Sequence, residues 1–286
     1  MSAEQAPDPI RLAAWLAAPA ARDPATGLWW SWRNAAHLGY PYAEATAWVV
    51  LVAARLRGTP AGALLAGPAA DGARVLEDIA RAAGGLGRAG RVYLFDTAVG
   101  LAALDAWGGA GAVRDGLFAT VQAFCAARCA VDGGPVAGSE TAATAWSEAW
   151  GSHLLWLNVA LQPRGETALA SGITTELLAT CARPDGALRC HPASDRAYAH
   201  ATAYAAAGLY AHGGAAERDR ADAAADALLL AQSQVLLWIE VVACRRGSVP
   251  RRPVRHGATS RPRLRPCGAV GIPGHAPLPW RPWRRR

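Results

Sequence analysis

GYPYAEATAWVVLVAARL, residues 39–56, is the stretch whose reading decides the fold. A turn at Gly39, Tyr40 and Pro41 gives way to good helix formers. Pro41 suits a first helical turn, where its missing N–H costs little. Glu44 then falls at the positive, N-terminal end of the helix, and Trp48 follows one turn later. From Val49 to Leu56 the run is almost wholly apolar, the pattern of a helix buried on most sides. A carboxylate, the Thr46 hydroxyl and aromatic rings are therefore expected at the mouth of a buried helix.

The same alternation of polar entry and apolar run extends outward. Residues 9–21 read as a short helix with Leu12, Trp15 and Leu16 on one side. A loop carrying Trp29, Trp30 and Trp32 leads to the stretch above. Residues 58–68 read as a breaker-rich connection, and 70–83 as a helix with Val75, Leu76 and Ile79 inward. Asp96 and Thr97 open a second apolar run over 92–107, with Gly100 allowing close helix contact. Further helices are expected over 112–130, 141–161, 167–182, 195–211 and 217–232. Almost no segment alternates polar and apolar residues over strand length. The fold class is therefore all-α. The recurring polar segments before buried helices (42–46, 94–97, 139–141, 195–200) point to an (α/α) toroid of helical hairpins, incomplete at its C-terminal end, rather than to a solenoid of tight sequence repeats.

Composition narrows the partners. All 29 basic residues are Arg, and the chain carries a net charge of +7. Twelve of those Arg, and no acid, fall in residues 245–286; residues 1–244 hold 17 Arg against 22 acids, a net charge of −5. The expected helical domain, 1–244, is thus mildly acidic, without the distributed basic face of a nucleic-acid binder. The 245–286 tail, rich in Arg and Pro, reads as translation out of frame of a GC-rich gene. A disordered tail for anionic partners or a natural folded segment are the alternatives. No run of about 18 apolar residues suggests a membrane span, and the N-terminus lacks a secretory pattern. A cytoplasmic protein with six reduced Cys is expected.

Glu44, Thr46 and Trp48, in a Tyr/Pro-led E-x-T-x-aromatic context, resemble a motif of bacterial α/α-toroid proteins of the six-hairpin glycosidase-like type. Tyr93-Leu94-Phe95-Asp96-Thr97 is similar to that family's F-D-T segment, and residues 191–213 to its late His/Tyr segment. Ala47 stands where the family usually has Gly, and Ala205–Ala207 where its late Glu is expected. The resemblance implies a carbohydrate-active or carbohydrate-binding protein acting on an oligo- or polysaccharide. Its activity would be of hydrolase, lyase or epimerase type, or it would be a degenerate relative of such an enzyme.

Glycoside chemistry needs two carboxyl groups, one acting as acid and the other as base or nucleophile. Glu44 and Asp96 form the first pair, since each precedes a buried helix; Glu140, Glu148 and Asp195 are further candidates. Helix capping is their structural alternative. His191 and His200 are each candidates for a general acid or base, His191 first, with a structural His as the alternative. Trp29, Trp30, Trp32, Trp48 and Tyr40 are expected to line a sugar site or to pack in the core. Arg33 is a candidate to hold the carboxylate of a uronic acid, with a plain surface Arg as the alternative, and Asp195 and His200 are candidates to contact the ligand. Cys181, Cys190 and His191 are similar to the zinc ligands of lanthipeptide cyclases, but four spaced ligands are not evident, so no metal is expected. Without a Walker loop, a G-x-S-x-G or a strand-bound G-x-G-x-x-G, no cofactor is expected either. A non-catalytic helical scaffold or truncated inactive product, and a terpenoid-cyclase or prenyltransferase-like toroid, are the alternatives.

Overall fold

The computed structural model describes residues 8–31, 39–129, 150–193 and 197–245. Among these are nine α-helices: α1 (Pro9–Ala17), α2 (Ala43–Arg55), α3 (Pro60–Ala83), α4 (Leu94–Trp107), α5 (Gly111–Cys129), α6 (Leu157–Leu161), α7 (Thr167–Cys181), α8 (Ala199–His212) and α9 (Ala215–Arg245). Two compact units divide at Ile239 and Glu240. Of the second unit, Glu240–Arg286, only the end of α9 is described. The tail expected beyond Arg245 lies outside the described residues.

The first unit, Met1–Ile239, is a two-row packing of helices. In one row α2 packs on α4, α4 on α6, and α6 with the 3₁₀ turn before it (Ser152–Trp156) on α8. In the other, α1 packs on α3, α3 on α5 and α5 on α7; α2–α3 and α4–α5 join the rows. The burial patterns follow from sequence. In α4 every residue from Phe95 to Leu104 is buried, as befits a helix apolar all round. In α3 the buried residues Ala61, Leu65, Ala69, Ala73, Leu76 and Ala80 recur at three- and four-residue spacing, a single stripe. Truncating a fully buried member such as Leu76 to Ala is expected to cost about 2–5 kcal/mol.

Helix ends are set by local chemistry. The Ile10 N–H donates to Asp8 Oδ1 at 2.9 Å to start α1, and Gly84 and Gly108 close α3 and α4 at φ of 72° and 90°. Three expectations need correction. Residues 60–68 are not a connection, because α3 begins at Pro60: the Gly62 N–H donates to Thr59 Oγ1 at 3.1 Å, and Pro60 takes the first helical position, where proline is tolerated. Residues 150–156 are not α-helical, since Gly151 is extended (φ −153°) and a 3₁₀ turn precedes α6; 141–149 lie outside the described residues. Gly100 admits not a helix but the loop residue Leu86, whose Cδ1 would lie 2.0 Å from a Cβ there.

A short hairpin, β1 (Gly87–Arg88) with β2 (Arg91–Val92), pairs antiparallel between α3 and α4. Its two-residue turn, Ala89 and Gly90, has φ of 53° and 75°, the both-positive pattern that matches strand twist. No helix among the described residues is long and apolar enough to cross a membrane.

Candidate functional site

The helices α2, α4 and α8 begin alike. Tyr42, Tyr93 and Tyr198 occupy their N-cap positions, and the amide of the Thr four residues on, Thr46, Thr97 or Thr202, donates to the Tyr carbonyl at 2.9–3.1 Å. In the first two, the Thr hydroxyl also ties in the preceding loop. Thr46 Oγ1 donates to Tyr42 O (2.9 Å) and accepts from Trp29 N–H (3.0 Å). Thr97 Oγ1 donates to Tyr93 O (2.7 Å) and accepts from Leu86 N–H (3.0 Å). Among the described residues no side chain caps these three helices, and acidic side chains gather at the first turns of two of them.

What gathers is a pair of carboxyl groups. Glu44, in the first turn of α2, is 7 % exposed. Its Oε1 accepts from Trp48 Nε1 at 3.1 Å and from the Tyr204 hydroxyl of α8 at 3.5 Å. Burial pushes the Glu44 carboxyl above the usual range, while the Trp48, Tyr42 and Tyr204 donors pull it back. Asp96, in the first turn of α4, is wholly buried. Neither of its oxygens meets a donor at full hydrogen-bond geometry, though the Tyr42 hydroxyl acts on it. Both carboxyls are thus pushed up by burial, and Asp96, which also feels the charge of Glu44, is pushed up to about 8.

Aromatic side chains enclose the pair. The Trp48 ring stacks on Tyr204 and meets Trp156 edge-on at 5.1 Å; Phe95 touches both Tyr204 (5.0 Å) and Trp156 (6.1 Å). Burial and the neighbouring carboxylates hold the Tyr42 and Tyr204 hydroxyls far above the ordinary phenol range, so both serve as donors. At the rim, Arg88 of β1 lies over the Tyr40 ring at 4.7 Å and within 6.0 Å of Tyr42, and its charge pulls Asp96 down.

The remaining expected residues fall in several places. His200 is exposed, stacked on Tyr198 (5.6 Å) and edge-on to Tyr204 (6.3 Å). His191 is half-buried in the loop after α7, with no hydrogen bond or ring contact to Glu44 or Asp96; its neighbour is His153. His153 is completely buried against Phe95 (5.4 Å), and burial, with His200 and His191 nearby, pulls its imidazole down to about 3. Trp29 is 2 % exposed, its indole N–H donating to Leu16 O at 2.9 Å. Trp29 and Trp30 line a separate cavity beside α1. Trp32, Arg33 and Asp195, with Glu140 and Glu148, lie outside the described residues. Cys181 and Cys190 are buried free thiols, and no group of three or more metal-ligating side chains is assembled among the described residues.

Sequence reasoning did not single out Arg88, His153 or the roles of Tyr42 and Tyr204. The available signal was the threefold recurrence of Tyr with Thr four residues on. It is diluted in α8, where Tyr198 and Tyr204 sit in an Ala-rich run. No family model, no curated protein and no solved structure matches this chain.

Proposed function

We propose that the two rows of helices belong to an α/α toroid, and that the domain acts on a carbohydrate through the Glu44–Asp96 pair. Asp96 is the general acid, protonating a departing glycosidic or ring oxygen; Glu44 is the base or nucleophile. The observation that carries this reading is a pair of buried carboxyls at adjacent helix starts, one held by the Trp48 and Tyr204 donors and the other, Asp96, pushed up to about 8 by burial and by its neighbour. Tyr40, Tyr198 and His200 offer ring faces and polar tips to a sugar at the rim. A cytoplasmic location is in keeping with the free thiols of Cys181 and Cys190.

Product formation from a panel of neutral and uronic oligosaccharides tests the reading. Wild-type protein is expected to turn over at least one of them. Glu44→Gln and Asp96→Asn are each expected to lower kcat by about 10²–10⁴-fold with little change in Kd. One observation favours a second reading, a helical domain that binds without reacting: Asp96 is fully shielded from solvent. Sugar binding by wild type with no turnover, unchanged in Asp96→Asn, would select it.

A further inference from the structure

A cavity of about 610 Å³ lies along α2, on a different part of its surface from the Glu44 carboxylate. Ala45, Trp48, Val49 and Val52 form its floor. These are positions i, i+3, i+4 and i+7, one continuous stripe of the helix. Trp15, Trp29 and Trp30 supply the other large side chains of its wall. The volume falls within the roughly 300–1,000 Å³ typical of small-molecule sites, and four indoles give it an aromatic lining.

The chemistry of the lining selects the ligand. Among the described residues no ionisable side chain lines the cavity, and Ser31 is the one side-chain hydroxyl in its wall. Two of the indole N–H groups are engaged elsewhere, Trp29 with Leu16 O and Trp48 with Glu44 Oε1, so these two rings offer apolar surface rather than donors. The Arg22 guanidinium lies over the Trp29 ring at 5.3 Å but is paired with Asp71 at 3.6 Å, so a charged group entering here would lose its hydration and find the neighbouring cation already engaged. Trp15 is 64 % exposed and Val52 39 % exposed, so α1 and α2 leave apolar surface uncovered around it.

We propose that this cavity is a binding site for an uncharged, largely apolar small molecule, a flat ring system or a short hydrocarbon chain. The site is independent of carbohydrate chemistry, although Trp48 serves both places.

The test uses the full chain and two probes alike in shape, 2-naphthalenemethanol (neutral) and naphthalene-2-sulfonate (anionic). Binding is followed by the indole N–H resonances. The neutral probe is expected to saturate and to shift Trp30 and Trp48 while Trp107 stays fixed; the sulfonate is expected to bind at least about tenfold more weakly. Val52→Trp, at a partly exposed position, is expected to fill the cavity and weaken the neutral probe by about tenfold or more. Trp15→Ala, which removes wall without adding volume, is expected to weaken it several-fold. Probe binding is read without any carbohydrate or turnover, so failure of the carbohydrate reading leaves this result standing. Lack of saturable binding, equal affinity for the two probes, or an affinity unchanged in both Val52→Trp and Trp15→Ala would overturn the proposal. So would Trp30 and Trp48 shifts that follow protein concentration instead of probe, which would assign the surface to a second copy of the chain.

Discussion

The Trp48 and Tyr204 rings lie stacked, their centroids 5.2 Å apart and their planes 10° from parallel. Trp48 belongs to α2 and Tyr204 to α8, yet both donate to the same oxygen of Glu44. The stack therefore holds two donors on one carboxylate and favours its ionised form. Trp48→Phe, which removes the shorter bond at 3.1 Å, is expected to raise the Glu44 pKa more than Tyr204→Phe, which removes the one at 3.5 Å. Carboxyl carbon NMR titration of each variant checks that order.

Thr46 and Thr97 each link a helix start to the loop before it through a buried hydroxyl. Replacing either by Val leaves a loop N–H and a helix carbonyl without that partner, at a cost of about 1–3 kcal/mol. Thr97→Ser keeps the hydroxyl and is expected to lose clearly less. Urea denaturation of the single variants and the double variant measures this. The two latches share no partner, so their costs are expected to add within about 0.5 kcal/mol.

Gly208 sits where α8 crosses the turn before α6. A Cβ there would lie 1.9 Å from Leu155 O and 2.6 Å from Trp156 N, both backbone atoms that cannot step aside. Gly208→Ala is expected to destabilise by about 1–3 kcal/mol or more, despite the better helix propensity of Ala. Gly172 of α7 has open space at the same test, so Gly172→Ala is the control expected to be neutral or stabilising. Thermal melts of the two variants settle the contrast.

Asp96 and His153 give the fold opposed pH dependences. Asp96 binds its proton more tightly when folded, about 8 against a model-compound value of 3.8. The stability from its proton is fully present below about pH 3.8 and is lost as pH rises towards 8. His153 binds its proton less tightly when folded, about 3 against 6.5, so its contribution is present above pH 6.5 and lost as pH falls towards 3. Asp96→Asn is therefore expected to gain stability relative to wild type between pH 6 and 8, and His153→Leu to flatten the acid limb. Urea midpoints at pH 4, 6 and 8 check both signs.

The legible parts of this chain are those where one residue type had one local job. The apolar run behind Glu44 marks α2, and Asp96-Thr97 before another apolar run marks α4, because buried faces are local properties; Pro41, expected in the first turn, instead bridges to Trp30 ahead of the Tyr42 N-cap. Pro60 and Pro68 misled, since proline reads as a breaker although Thr59 and Pro60 make a sound helix start. The β1–β2 hairpin has two residues per strand, too few for alternation to register. The contacts that matter at the carboxyl pair are long-range: Tyr204 reaches Glu44 across 160 residues, and Arg88 reaches Tyr40 from a hairpin. No spacing rule encodes such a meeting.

Arg88 is expected to temper the acid. Its guanidinium favours the ionised form of Asp96. Arg88→Gln should therefore move the Asp96 pKa further up, whereas Glu44→Gln, which removes a raising charge, should move it down. Opposite displacements in the two variants are the expected signature of a coupled site.

The most direct test of the central claim is a carboxyl ¹³C NMR titration of the full chain from pH 3 to 10, with Glu44 and Asp96 assigned through Glu44→Gln and Asp96→Asn. Glu44 is expected to ionise first and Asp96 to hold its proton to about pH 8. Asp96 titrating near 4, as an ordinary carboxyl does, or keeping its pKa unchanged in Glu44→Gln, would contradict it.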